Sequence, residues 1–209
     1  MNNHWNQIIY KCWSPFYDQI FNSGPFLRAR RKVFSEIQFT KGDKILFVGV
    51  GTGVDLLLVP HEKLDITAID YSQDMLTKAV EKFPNTDTIQ FLRMDAQSIS
   101  FPDETYDYVI ASLILSVVPN YQEAYKEMIR VTKANGKIII FDKFIRKGQT
   151  VSIIQKIMKP IVKVLGTDIG IPFEEFERTD VEKIKDEELL FNGMYRGIHL
   201  QKLKSSDRG

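Results

Sequence analysis

Three glycines at alternate positions, Gly49, Gly51 and Gly53, interrupt the apolar stretch ILFVGVGTGVDLLLVP that runs from Ile45 to Pro60. Glycine at such positions lets the backbone turn tightly and lets a ligand approach without a Cβ in the way. Val50 lies inside this loop, and Asp55 falls in the first turn after it. Two further acids end later strand-like runs. Asp70 closes ITAID, nineteen residues after Gly51, and Asp95 lies in RMDAQ. A carboxylate at Asp70 can accept from both hydroxyls of a ribose cis-diol. One at Asp95 can accept from the exocyclic amine of an adenine. Plainer roles exist for each: Asp70 as an acid at the positive end of the helix that Ser72 opens, Asp95 as a turn acid on a solvated loop. Tyr71 and Met75 supply either apolar walls for the base or part of the core.

Two phosphate-binding patterns fail. The dinucleotide fingerprint needs a glycine three residues after the second glycine, where this chain has Val54. The Gly-Lys-Ser/Thr of a P-loop is absent. His4, His61 and His199 are scattered, so no metal-ligand spacing arises and no metal is expected.

The elements that must position these residues alternate. KILFV is apolar at consecutive positions, as a strand buried on both faces must be. DITAID, IQFLRMD, YDYVIAS and NGKIIIFDKF read as four more strands. SQDMLTKAVEKF and YQEAYKEMIRVTK read as amphipathic helices between them, and a further helix is expected directly behind the glycine loop. Strand–helix alternation implies right-handed parallel crossovers in a doubly wound α/β sheet. Its ligands bind beyond the carboxyl ends of the strands, near the switch point. Thr179 to Leu203 holds two alternating stretches, which add an antiparallel pair at the sheet edge. Trp5, Ile8, Ile9, Trp13 and Phe16 recur at helical spacing, and LRARRKVF follows with clustered basic residues. Residues 151–166 read as one more helix, split at Pro160.

Bulk numbers set bounds. At 209 residues the chain fits one domain with an added cap. Hydrophobic content of 44% and charged content of 26% are ordinary for a globular protein. A net charge of +1 gives no bulk attraction to nucleic acid or anionic membrane. The one cysteine, Cys12, excludes an internal disulfide and fits a reducing compartment. No apolar run reaches transmembrane length, and no signal peptide stands at the N-terminus. A cytoplasmic location is therefore expected.

With VGVGTG, AID and MDAQSISFPDETYDYVIASLILSVVPN in order, followed by NGKIIIFDKF, the sequence resembles the class I S-adenosylmethionine-dependent methyltransferases over roughly residues 40–145. Within that class it is most similar to small bacterial phosphatidylethanolamine and quinone-pathway methyltransferases, to which SPFYDQIF also points. The resemblance implies a Rossmann-like, seven-stranded, mostly parallel sheet with an antiparallel edge strand, in a single domain. Residues 1–42 would form an N-terminal helical lid, 43–145 the cofactor-binding core, and 146–209 a C-terminal helix and edge strands. It implies S-adenosylmethionine as cofactor and S-adenosylhomocysteine as product. Gly49, Gly51 and Gly53, with Val50, would approach the methionine and ribose portions. Asp70 would bind the ribose, and Asp95 with Ala96 would read the adenine. Ser112 and Leu113 would face the sulfonium, and Tyr17 would lie on the lid. One position departs from the family: Phe47 stands where many members carry an acid that anchors the methionine amine. Asp55 can substitute for that acid or can serve the helix dipole.

Methyl transfer from a sulfonium needs alignment and exclusion of water more than a fixed catalytic signature. The acceptor is therefore weakly marked. Base-amino methyltransferases carry Asn/Asp-Pro-Pro-aromatic after the fourth strand, where this chain reads Ser112-Leu113-Ile114-Leu115. That apolar loop suits a small-molecule or lipid-like acceptor, methylated on nitrogen or oxygen, and argues against nucleic acid. Tyr17, Ser116 and Lys143 are the acceptor-side candidates. The N-terminal aromatics and the lysines of 151–166 suggest peripheral membrane contact or a solvated lid. Two alternatives stay open: an NAD-dependent oxidoreductase, and a binding protein of this fold with lost or weak catalysis. Oligomeric state is not indicated.

Overall fold

A strand as uniformly apolar as KILFV needs cover on both faces, and the computed structural model shows that cover. The structure describes residues 24–145, 171, 172, 176 and 178–204. Helix α1 (Gly24–Ser35) precedes β1 (Lys44–Val48); β2 (Asp65–Asp70), α2 (Gln73–Lys82), β3 (Ile89–Arg93) and β4 (Tyr106–Ser112) follow. Then come α3 (Tyr121–Val131), β5 (Thr132–Ile145), the two-residue β6 (Ile171–Pro172), β7 (Val181–Leu190) and β8 (Tyr195–Lys202). The sheet order is β3-β2-β1-β4-β5-β8-β7, with β6 pairing off the end of β5. The first five strands are parallel. β8 runs antiparallel to β5, and β7 antiparallel to β8 at the edge. The expected mixed, mostly parallel sheet is therefore present, with the antiparallel pair where the alternating tail pointed.

Alternate residues of each strand feed two cores. On one face Ile45 and Phe47 pack with Ala29, Val33 and Phe34 of α1 and with Leu76 of α2. On the other, Leu46 and Val48 pack with Ala124, Met128 and Ile129 of α3. Helix α1 lies so close to the sheet that a Cβ at Gly197 would stand 2.8 Å from Val33 Cγ2. The rings of Phe34 and Phe47 stack at 6.4 Å. Phe47 is thus a core residue under α1, where an unpaired acid would be buried at high cost.

Two local readings differ from the structure. The helix expected behind the glycine loop is a 3-10 turn, Val54–Leu58. Pro60 follows and β2 begins at Asp65, which leaves no room for an α-helix. The fifth strand starts at Thr132, upstream of the expected turn. Asn135 (φ 61°) and Gly136 form a bulge that shifts the register between Tyr106 and Tyr108. A Cβ at Gly136 would meet Thr132 Cγ2 at 2.7 Å. The predicted N-terminal helix, with Tyr17, and the predicted 151–166 helix lie outside the described residues.

Candidate active site at the switch point

Strand order reverses between β1 and β4, so a crevice opens beyond their carboxyl ends. The glycine loop forms one wall and Ser112–Val118 the other. Gly49 must stay glycine because a Cβ there would lie 2.6 Å from Ile114 Cγ1 across the crevice. Gly51 is different: its φ is +56°, and a Cβ would meet nothing within 4 Å. Its backbone faces open space, as a close ligand approach requires. The loop is pinned from outside as well. Val50 is buried, and its N–H donates to the Ile69 carbonyl at 3.0 Å. Lys82 Nζ donates to the Thr52 carbonyl at 2.7 Å.

Asp70 ties β2 to this loop. Its Oδ2 accepts from the Gly51 N–H at 2.8 Å and its Oδ1 from the Ser72 N–H at 2.8 Å. Burial pushes this carboxyl above its usual pKa, and the backbone donors pull against the rise. The N–H groups of Gly51, Ser72 and Tyr71 all favour this carboxylate, which leaves part of its four lone-pair positions for a ribose hydroxyl. Ser72 caps α2 as expected, accepting from the Met75 N–H at 3.4 Å. Met75 is buried, whereas Tyr71 is 38% exposed with the Arg93 guanidinium 5.7 Å from its ring centroid.

Asp95 sits beyond β3. Its Oδ1 accepts from the Gln97 N–H and from Gln97 Nε2, both at 2.9 Å. The Gln97 side-chain carbonyl in turn accepts from the Asn120 N–H at 2.9 Å. Asn120 caps α3 through the Glu123 N–H. Gln97 therefore links Asp95 to the start of α3. Sequence reasoning passed over it, although an Asx-type turn at Asp95 is the signal that would have drawn attention to it. Ala96 is buried beside it.

The opposite wall carries backbone in an uncommon conformation. Leu113 has φ +57°, which is rare for a branched residue and costs about 1–2 kcal/mol. Its N–H donates to the Phe141 carbonyl at 2.7 Å. This turn delivers Ile114 to Gly49 and leaves Ser112 Oγ buried with no hydrogen-bond partner. Buried hydroxyls seldom lack partners, so a polar group of a ligand fits here.

Two buried acids flank that wall. Asp55 Oδ1 accepts from Arg30 Nη1 of α1 at 3.1 Å, with side-chain exposures of 10% and 3%. Burial raises the Asp55 pKa and the Arg30 charge opposes the rise. The Ser112 hydroxyl lies near enough to favour the ionised carboxylate but makes no geometrically formed hydrogen bond to it. Asp142, at the end of β5, is fully buried. It accepts from the Lys143 N–H at 2.7 Å and the Ser116 N–H at 3.2 Å, with burial again raising its pKa. Ser116 is itself buried, and its hydroxyl lies beside Asp142 without hydrogen-bond geometry. At the carboxyl ends of the strands the structure places Gly49, Gly51, Asp70, Ser112 and Leu113, with Asp55 buried near Ser112, whereas Gly53 faces Ala79 and Phe83 at α2. The structure adds Arg30, Gln97 and Asp142, and it puts Ser116 and Lys143 at the β5 side. No cluster of metal-ligating side chains occurs among the described residues.

The Methyltransferase domain family matches residues 46–140. A phosphatidylethanolamine N-methyltransferase of Cereibacter sphaeroides is 35% identical over 160 residues, covering 75% of this chain and 77% of that protein. A demethylmenaquinone methyltransferase of Staphylococcus epidermidis is 31% identical over 140 residues, covering 64% and 58%. Among solved structures, a Haemonchus contortus phospholethanolamine N-methyltransferase 2, in complex with phosphomonomethylethanolamine and S-adenosylhomocysteine, aligns with a TM-score of 0.71. It is 17% identical and covers 90% of this chain and 56% of that one.

Proposed function

Because the chain belongs to the S-adenosylmethionine-dependent methyltransferases, we propose that it methylates a small-molecule or lipid-like acceptor on nitrogen or oxygen, in the crevice between β1 and β4. One observation carries the siting: the open backbone face at Gly51, directly hydrogen-bonded to Asp70. Gly51 offers close approach and Asp70 offers acceptors for a ribose diol, which suits an adenosine cofactor better than a phosphate-rich one. The five-residue 3-10 turn behind the loop also disfavours the dinucleotide alternative, which needs an α-helix N-terminus for its pyrophosphate.

S-adenosylmethionine, when bound, supplies an electrophilic methyl group with a neutral leaving group. The chain has to orient it and exclude water. Asp70 and Gly51 would hold the ribose, and Asp95, Ala96 and Tyr71 the adenine. Ser112 and Leu113 would face the sulfonium. The wall from Leu113 to Val118 is mostly apolar, which supports an acceptor with an apolar body. The two relatives, whose names specify phosphatidylethanolamine and demethylmenaquinone, support an acceptor with an apolar body. Ser116 and Lys143 are the acceptor-side groups, with Asp142 holding the Ser116 backbone in place. Tyr17 remains the proposed lid residue. A location in the cytoplasm with peripheral membrane contact belongs to the same reading. No helix among the described residues is long and apolar enough to cross a membrane.

The deciding experiment follows an isotopically labelled methyl group from S-adenosylmethionine into cell extract fractionated into lipid, small-molecule and RNA pools. Label in the lipid or small-molecule pool is expected. Label confined to RNA would overturn the acceptor class. S-adenosylhomocysteine binding with no transfer to any pool would favour a protein that kept the site and lost turnover. Co-sedimentation with anionic and neutral liposomes tests the membrane contact.

A further inference from the structure

The turn joining β7 to β8 stands at the carboxyl end of β5. Tyr195 pairs there with Lys143, and the Phe144 N–H donates to the Met194 carbonyl at 2.8 Å. Phe191, in this turn, is 61% exposed, more than any other large apolar side chain among the described residues. Its backbone is uncommon as well. Phe191, Asn192 and Gly193 have φ of 51°, 53° and 82°. Asparagine and glycine take such angles readily, whereas phenylalanine rarely does. An apolar ring is thus held in water on a strained backbone, the kind of local cost that proteins keep at functional positions.

The ring has aromatic neighbours that lead inward. Its centroid lies 6.0 Å from that of Phe26 and 5.8 Å from that of Tyr195. Tyr195 lies 6.0 Å from Phe141, whose carbonyl accepts from the Leu113 N–H at 2.7 Å. Aromatic side chains therefore run from the surface at Phe191 to the crevice wall at Leu113. We propose that Phe191 is the outer end of a shelf for the hydrocarbon chain of the acceptor, with Phe26 and Tyr195 behind it. The group to be methylated lies in the crevice and the chain runs outward along the turn. This inference rests on the apolar-bodied acceptor proposed above, and it locates that body.

Two arguments select a chain over a protein partner. A stable interface buries about 800 Å² on each side, whereas one aromatic side chain supplies about 150–250 Å², and the neighbouring Asn192 is polar. The aromatic ladder also leads to the acceptor wall, so an occupant of the shelf is continuous with an occupant of the crevice. A methylene chain needs no hydrogen-bond partner, and a phenylalanine ring offers it only apolar contact. A consequence follows for α1. Through Phe26 this helix borders the path of the chain as well as covering the sheet.

The test is a chain-length series in calorimetry on the full chain. The probes are lysophosphatidylethanolamines with acyl chains of about 6 to 12 carbons, titrated below the concentrations at which they form micelles. Affinity for the native protein should rise by about two- to fourfold for each added methylene, the range for partial to full burial of that group. Phe191→Gly removes the ring and should lower this increment to below about 1.5-fold. Glycine also adopts the Phe191 backbone angle freely, so the urea midpoint of that variant should hold or rise. Phe191→Leu keeps an apolar side chain and should keep at least about half of the increment. A full increment in Phe191→Gly would place the chain elsewhere and overturn the shelf. A clear fall in its midpoint would make the ring structural and do the same. Binding seen only to micelles or vesicles would indicate a membrane surface in place of a single chain. A native dimer that Phe191→Gly dissociates would indicate a second copy, and either result overturns the proposal. No chain dependence in the native protein also overturns it. S-adenosylhomocysteine binding in the same sample then shows whether the methyltransferase site stands without the shelf, and the labelled-methyl experiment tests the acceptor class independently.

Discussion

The two halves of the crevice are held by different kinds of contact. On the β2–β3 side, Asp70 and Asp95 accept from backbone N–H groups only two residues away, at Ser72 and Gln97. Each acid makes its own turn, and the Gly51 N–H reaches Asp70 from further away. On the β4–β5 side the partners come from distant parts of the chain. Arg30 and Asp55 are 25 residues apart, and Ser116 and Asp142 are 26 apart. Local turns persist wherever their strand end persists, whereas distant pairs require α1 and β5 to be packed in place. The β4–β5 half therefore depends on the whole fold and should respond first to damage elsewhere.

The largest effect that would sharpen this contrast is on stability. Arg30→Met alone leaves the Asp55 carboxylate buried beside an apolar neighbour and should cost about 3–5 kcal/mol in urea unfolding. Adding Asp55→Leu should recover most of it; no recovery would mean that the two groups are not energetically coupled. Next comes Asp70→Ala, which releases the Gly51 and Ser72 N–H groups together. It should weaken S-adenosylhomocysteine binding by about 100-fold in calorimetry, the worth of two hydrogen bonds to a charged group. Affinity within about threefold of the native value would break the assignment of that half.

A smaller effect concerns pH. Burial raises the Asp142 pKa above the ordinary carboxylate value of 3.8. As pH rises from 3.8 through the raised value, the native state keeps a proton that the unfolded chain has lost. This group's contribution therefore lowers stability across that window. Asp55 and Asp70 act in the same direction. Carboxyls held below their ordinary range, such as Asp107 and Glu127, act the other way, so the check is a difference: as pH rises above 3.8, the urea midpoint of Asp142→Asn should climb relative to that of the native protein. An unchanged slope would contradict the burial of that charge. The smallest effect belongs to a local contact: Ser72→Ala removes the α2 cap and should cost about 1 kcal/mol. A loss as large as that of Arg30→Met would erase the distinction between the two halves.

The same contrast explains which parts the sequence revealed. Asp70, Ser72 and Asp95 were recognisable because their partners lie beside them, and turn or cap chemistry has a short spacing. The parallel strands were recognisable because double-sided burial leaves continuous apolar runs. Arg30 stood out only as one of several basic residues in LRARRKVF, since nothing local selects which of them turns inward. Asp142 was hidden inside NGKIIIFDKF. The available clue was its place directly after the continuous apolar run Ile138–Phe141, in a strand covered on both faces. The helix expected after the glycine loop failed for a reason also present in the sequence: Pro60 and an early β2 leave space only for a 3-10 turn. Tyr17 and the 151–166 segment fall outside the described residues.

The tight seating of α1 on the sheet also bears on where this protein could be cut. Residues 46–140, the stretch matched by the domain family, would carry the glycine loop, Asp70 and Asp95. Such a fragment would nevertheless bare Phe47, strip β8 from β5 and leave Asp55 without Arg30. Motif boundaries and the boundaries of cooperative folding are therefore different here. The minimal fragment able to fold must begin before Gly24–Ser35 and extend through Tyr195–Lys202, because those two elements close the faces and edge that the motifs leave open.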